Sequence, residues 1–290
     1  SGDWTTVTSV SIGEATLASY LKFSLRMYFR GEYGASKLKW PIFPGDALQS
    51  YDKIVLRGGH NDGQNPFIKD ELTRRLALDT GTVSARGGIF NLYINGVYKG
   101  WYNATERLDS KFFQSRYGGT ADYDRMVHVD DKGFQRYDVS PWAPELKEGD
   151  FDFYHAMMLA VDEDLSVQGN YDAVAAMLDI PHFIDYVLVQ LYVGNDDWPN
   201  NNWTGARERV AGAKFRFYVW DAESTFLTAN TSKSGLRHFP FWMWTDPTPP
   251  GSVSGGGGLF GEQTPIAAIF RGLYENAGFR TQFSDRAVVL

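Results

Sequence analysis

The chain has 290 residues, enough for one large domain or two small ones, and 43% hydrophobic with 22% charged residues suits a chain that buries a core. A net charge of −7 offers no global basic field to nucleic acid, and the lack of cysteine excludes disulfides, thiolate nucleophiles and Cys-ligated zinc. No stretch approaches the ~20 apolar residues that span a bilayer.

In "KFSLRMYFRG", Phe23, Leu25, Met27 and Phe29 alternate with Ser24, Arg26, Tyr28 and Arg30, which predicts a half-buried strand. "KIVLRGG", from Lys53 to Gly59, reads as a short strand leaving through glycines. Arg57 and Arg30 flank glycines and are expected to ion-pair within this first part of the chain. "NPFIKDELTRRLALDTG" predicts a helix with Asn65 as cap, Pro66 in the first turn, Gly81 at the exit and an apolar face of Ile68, Leu72 and Leu76. Asp70 near its start favours the helix dipole. Asn95-Gly96, between alternating strands, predicts a hairpin, because both central turn positions need positive φ. A short helix is expected over "RLDSKFFQSRYGG", ending at Gly118-Gly119.

Residues 151–194 carry three helical patterns, the last strongly apolar. A second hairpin follows, with "WTGARERV" and "KFRFYVW" around Ala211-Gly212. The four glycines from Gly255 lack a strand-to-helix context and a lysine, so they read as a loop and not a phosphate cradle. One or two helices close the chain. The order predicts an α+β fold with a β-rich first lobe (about 1–140) and a helix-rich second lobe (about 141–290), as a single domain over 1–290.

The segment from Gly194 to Phe226 poses the chemical question. Asp197 lies in the loop after the apolar helix, Asn202 five residues on, and Asp221 at the end of the strand that returns from the hairpin. A hairpin brings its ends together, so Asn202 and Asp221 are expected to be neighbours. Their oxygens are hard ligands suited to Mg²⁺, Mn²⁺ or Ca²⁺. The Asp-x-x-x-x-Asn spacing followed by a later Asp also matches the base and metal residues of a kinase catalytic loop. The plain alternative is Asx turn chemistry. Asp196 reads as a solvated turn carboxylate. The five histidines have no zinc spacing, and the three N-x-[ST] sequons, at Asn103, Asn202 and Asn230, are discounted as chance matches.

Several ordered motifs resemble the CotH family of spore-coat-type kinases: "FRGEYGASKLKWPIFPG", "IVLRGGHND", "FIKDELTRRLALDTG", "YINGVYKGWYNATERLDSKFF", "QLYVGNDDWPNNNW…FRFYVWDAESTF" and "FRTQFSDR". The resemblance implies an atypical protein-kinase-like two-lobed fold, ATP with Mg²⁺ (or Mn²⁺), and phosphorylation of Ser/Thr in a protein substrate. It also implies a bacterial exported, cell-envelope or spore-coat location. By matching position, Asp197 becomes the catalytic-loop base, and Asn202 and Asp221 the metal residues. Lys22 becomes the phosphate-contacting lysine, and Glu106 orients that lysine or the metal shell. The sequence departs from the family pattern at Ile12, Glu14 and Leu21, where the family has Arg, Gly and Pro, and at Glu223, where the family's second Asp stands. Those departures keep open a non-catalytic coat or envelope interaction module that binds nucleotide or metal without transfer. The 16% aromatic content and the acidic turns keep open a metal-dependent carbohydrate-active protein.

Overall fold

The computed structural model of the protein describes residues 3–4, 22–59, 67–127, 144–195, 198–199, 201–226 and 264–290. Strands β1 (Asp3–Trp4), β2 (Leu25–Tyr28), β3 (Lys53–Arg57), β4 (Gly87–Ile94) and β5 (Val97–Thr105) form one antiparallel sheet in the order β1-β2-β3-β5-β4. The Asn95-Gly96 turn has φ of 51° and 78°, as the hairpin reading requires. One face of this sheet packs Ile54, Leu56, Tyr102 and Ala104 against Phe43 and Tyr51, which come from the β2–β3 connection. Leu25, Met27 and Phe29 join that cluster, as the alternation predicts, whereas Phe23 lies before the strand and is exposed.

Helix α1 (Lys69–Asp79) connects β3 to β4, and α2 (Ser110–Tyr117) follows β5. Asp109 caps α2 by accepting from the Phe112 amide at 3.1 Å, and Gly118 ends it at φ 77°. The second sheet runs β7-β6-β8-β9, from β6 (Tyr123–Val127), β7 (Glu145–Glu148), β8 (Trp203–Glu208) and β9 (Arg216–Val219). Sequence periodicity does not reveal β6 or β7. In β6 every residue is buried, and Asp124 and Arg125 are tolerated there because Arg207, Arg209 and Glu148 neutralise them. β7 reads ELKE and is an edge strand with no apolar face to signal it.

Around the second sheet lie α3 (Asp152–Val161), α4 (Gln168–Met177), α5 (Ile180–Val193), α6 (Pro265–Glu275) and α7 (Ala277–Val289). Their common core holds Trp203, Phe215, Phe217, Phe183, Met157, Phe270 and Phe279. α5 is buried on most of its circumference, begins on the Asp179 cap with Pro181 in its first turn, and ends at Gly194 in the left-handed region at φ 58°. The α+β expectation therefore holds, with β6 and β7 added to the expected order of elements.

His182, in the first turn of α5, is pressed edge-on against Tyr218, and neither ring nitrogen has a hydrogen-bond partner among the described residues. Burial pushes its pKa down to about 4, against the pull of Asp179. The unfolded chain takes up this proton near pH 6.5, and the folded one only near pH 4, so stability is lost as pH falls through that interval. His182→Phe is expected to flatten the stability curve between pH 6.5 and 4. Parallel curves for the two proteins in urea titrations across that range would contradict this account.

Candidate functional site

The β8–β9 ladder ends with Trp203 paired to Val219. Asn202 stands just before the pair and Asp221 two residues after it, so both lie at one end of the hairpin, as expected. Both adopt φ of 57°, a conformation that Asn and Asp reach more readily than other side chains. Asn202 is buried, whereas the Asp221 carboxylate is 41% exposed. The turn after Asp221 packs back on α5: the Phe226 amide donates to the Val193 carbonyl at 2.8 Å. The loop before Asn202 is tied to the same helix, where Trp198 Nε1 donates to the Tyr186 hydroxyl at 2.7 Å. Asp197, the expected base, lies outside the described residues.

The residue that joins this end of the hairpin to the first sheet is Arg57, at the end of β3. Its Nη2 donates to Asp221 and, at 2.5 Å, to Glu223 Oε1, while its Nε stands 3.5 Å from Asp70 Oδ2 on α1. Asp70 Oδ1 in turn accepts from the Ala222 amide at 2.9 Å, so the helix holds the backbone of the Asp221 turn directly. Burial opposes the charge on Arg57, but its three carboxylate neighbours outweigh that cost and raise its pKa well above the ordinary value. Burial likewise works against ionised Asp70, and Arg57, Arg74 and the Ala222 N–H hold it below the usual carboxylate range all the same. The expected ion pair of Arg57 within the first part of the chain is present, with Asp70, and its contacts to Asp221 and Glu223 extend beyond it. The role of Asp70 as a mere dipole partner is corrected.

α1 also corrects the predicted apolar face. Ile68 and Leu72 are 47% and 37% exposed, while Lys69, Asp70, Glu71, Thr73, Arg74 and Ala77 are buried. The inward face is charged because Arg74 satisfies it. Its guanidinium donates to Asp70, Glu71 and Asn103 Oδ1 at 3.1, 2.8 and 2.6 Å, and to the Ala85 carbonyl and Thr105 hydroxyl at 2.9 Å each. Asn103 of the first sequon is buried in this hub, and Asn202 of the second is buried at the hairpin end. The predicted cap Asn65 and Pro66 lie outside the described residues; the helix starts at Ile68 without a side-chain cap. Gly87 passes over the same hub. A Cβ there would stand 2.7 Å from both the Ala104 carbonyl oxygen and Arg74 Nη1. Gly87→Ala is expected to cost about 1–3 kcal/mol, seen as a lower urea midpoint; an unchanged midpoint would show that the hub yields without loss.

The other two expected site residues go elsewhere. Lys22 donates its ammonium to the Trp101 carbonyl and lies over the Phe67 and Tyr102 rings, 4.6 and 4.4 Å from their centroids; burial lowers its pKa. Glu106 accepts from Arg116 and, at 3.0 Å, from the Arg86 amide, in a cluster where Arg116 Nη1 also binds Asp46 at 2.6 Å. Burial raises the Glu106 pKa despite Arg116. Its partners do not include Lys22, Asn202 or Asp221. It joins the β2–β3 connection to α2.

Among the described residues no group of three or more His, Cys, Asp or Glu is placed to hold a metal ion. The donor types at the hairpin end, a carboxamide on Asn202 and carboxylates on Asp221 and Glu223, are those a hard divalent cation takes. The Arg57 guanidinium already sits on both carboxylates, marking where the fold takes up positive charge. Sequence reading passed over Arg57 and Asp70 as site residues. The signal available was that both fall inside motifs of the resemblance, "IVLRGGHND" and "FIKDELTRRLALDTG".

Compared with known protein families, the chain matches the one described as CotH kinase protein over residues 16–287, nearly its whole length. No curated protein matches it.

Proposed function

The chain belongs to the CotH kinase family, and from that premise we propose that it transfers phosphate from ATP to a Ser or Thr hydroxyl of a protein substrate. The observation that carries this reading is the Arg57–Asp70 pair in contact with the Asp221 turn. Protein kinases build their phosphate site from a cation on the third strand, a carboxylate on the following helix, and a metal-binding Asp on a later turn. Arg57, Asp70 and Asp221 follow the same chain order, with Arg in place of the kinase Lys and Asp in place of its Glu, and this supports the reading.

In this reading Asn202 and Asp221, with Glu223 beside them, hold Mg²⁺ or Mn²⁺, which when bound supplies charge neutralisation to the phosphates of ATP. Arg57 provides a second positive charge to those phosphates. Asp70 fixes Arg57 and the Ala222 amide together, so the acidic turn keeps its position as phosphate binds. Asp197 accepts the proton of the acceptor hydroxyl, the role its place in the family motif implies. The chain contributes positioning and fixed charge. Lys22, engaged with a carbonyl and two rings, is not needed for this arrangement.

A second reading, a non-catalytic member that binds nucleotide without transfer, draws on the same engagement of Lys22. Incubation with γ-labelled ATP, Mg²⁺ or Mn²⁺ and Ser-rich protein acceptors separates the two. Label on Ser or Thr, reduced about 10²–10⁴-fold in Asp197→Asn, is the expected result. Absence of label, with ATP still raising the melting temperature in a metal-dependent way, would favour the non-catalytic module.

A further inference from the structure

α1 holds the carboxylate that organises the site, and the Arg74 hub fixes its inward face, but its last turn carries no cation of its own. It has no side-chain cap at its start and no basic residue in its last turn. Its inward face is mostly polar, and its apolar anchorage lies at its C-terminal half, where Ala77 and Leu76 enter the core of the second lobe. The end of the helix is closed from outside. Arg286, in the last turn of α7, donates through Nη2 to the Thr80 carbonyl at 2.8 Å. The same guanidinium grips Asp185 of α5, Nε to Oδ1 at 2.6 Å and Nη2 to Oδ2 at 3.1 Å. A cation at a helix C-terminus satisfies free carbonyls and opposes the negative end of the dipole. Here that cation belongs to a helix some 200 residues away in sequence.

We infer that Arg286 is a positioning residue: by bridging Asp185 to Thr80 it fixes α1 to the second lobe and so sets the Arg57–Asp70 pair and the Asp221 turn. The route is continuous through the fold. Arg286 holds the end of α1, and Asp70 near its start accepts from the Ala222 amide and faces the Arg57 guanidinium at 3.5 Å. This makes α1 a helix clamped at both ends, by the Arg74 hub and Asp70 along its first turns and by the C-terminal helix at its last. The link to catalysis rests on the kinase reading; the mechanical coupling does not.

Hydrogen exchange followed by mass spectrometry tests the coupling on the full chain. Arg286→Ala and Arg286→Lys are compared with wild type; the lysine keeps the charge beside Asp185 without the fork that spans to Thr80. Peptides covering 69–80 and 221–226 are expected to exchange about tenfold faster in both, the loss of one charge-assisted hydrogen bond. Peptides of β4, β5 and α4 are expected to keep wild-type protection. Should the alanine variant fail to fold, the lysine variant decides. Wild-type protection of α1 in Arg286→Lys, or an even loss over the whole chain, would overturn the inference. Where transfer is measurable, kcat/KM for ATP is expected to fall in both variants, since the groups displaced are those that meet the phosphates and the metal. A local exchange response in a protein that transfers no phosphate would remove the kinase reading and leave the coupling standing.

Discussion

Arg57→Met is expected to lower the melting temperature by roughly 10 °C and phosphate transfer by about 10²–10³-fold. The thermal effect follows from burial. Asp70 and Glu223 have side chains only 6% and 8% exposed, and both face the Arg57 guanidinium. Removing one partner from a buried charge cluster costs about 3–5 kcal/mol, because the remaining charges lose their compensation. Asp221 is 41% exposed and adds little to that sum. The loss should also depend on pH. Arg57 helps hold the Asp70 carboxyl below its ordinary value of 3.8, so this stabilisation is present above that value and fades as pH falls through the depressed one. Wild type and variant should therefore converge in strongly acid solution. Mn²⁺ should raise the melting temperature of Arg57→Met more than that of wild type, since a divalent ion can replace the missing charge. A variant that melts within 2 °C of wild type, by the same calorimetric scan, would show that the three carboxylates do not depend on Arg57.

Asp221→Asn separates chemistry from stability. Its carboxylate is solvent-accessible, and Arg57 keeps Glu223 and Asp70 when it is lost. Stability is expected to change by no more than about 1 kcal/mol. Transfer is expected to fall by about 10³-fold, as when one charge that stabilises a transition state is removed. Matched denaturation and label-transfer measurements on one preparation check both halves. A folded variant with wild-type transfer would remove Asp221 from the site; a variant that unfolds would show that its contact with Arg57 is structural.

The parts of the fold that could be read in the sequence are those where local chemistry and tertiary packing agree. Asn95-Gly96 sets a hairpin because the turn needs positive φ. α5 announces itself because it is apolar nearly all round, and Gly118 and Gly194 end helices for backbone reasons. The neighbourhood of Asn202 and Asp221 was legible from the logic of a hairpin alone. What escaped was buried charge. The apolar pattern of α1 places Leu76 inward as expected, but Ile68 and Leu72 turn outward because Arg74 makes the charged face the better-satisfied interior. β6 hid for the same reason, carrying Asp124 and Arg125 into the sheet with their partners. Arg57 looked local because the partners that define it are Asp221 and Glu223, more than 160 residues away. Glu106, placed by resemblance alone, is held by Arg116 at the far side of the first sheet's connection. No pattern in one segment of sequence encodes an ion pair between two distant ones.

The most direct test of the account is a titration of Mn²⁺ and ATP into wild type and Asp221→Asn, followed by calorimetry. The predicted result is saturable, metal-dependent ATP binding by wild type that is weakened at least about tenfold in Asp221→Asn, the loss of one charged contact. Equal binding of metal-loaded ATP by both proteins would contradict the assignment of the hairpin end as the nucleotide–metal site.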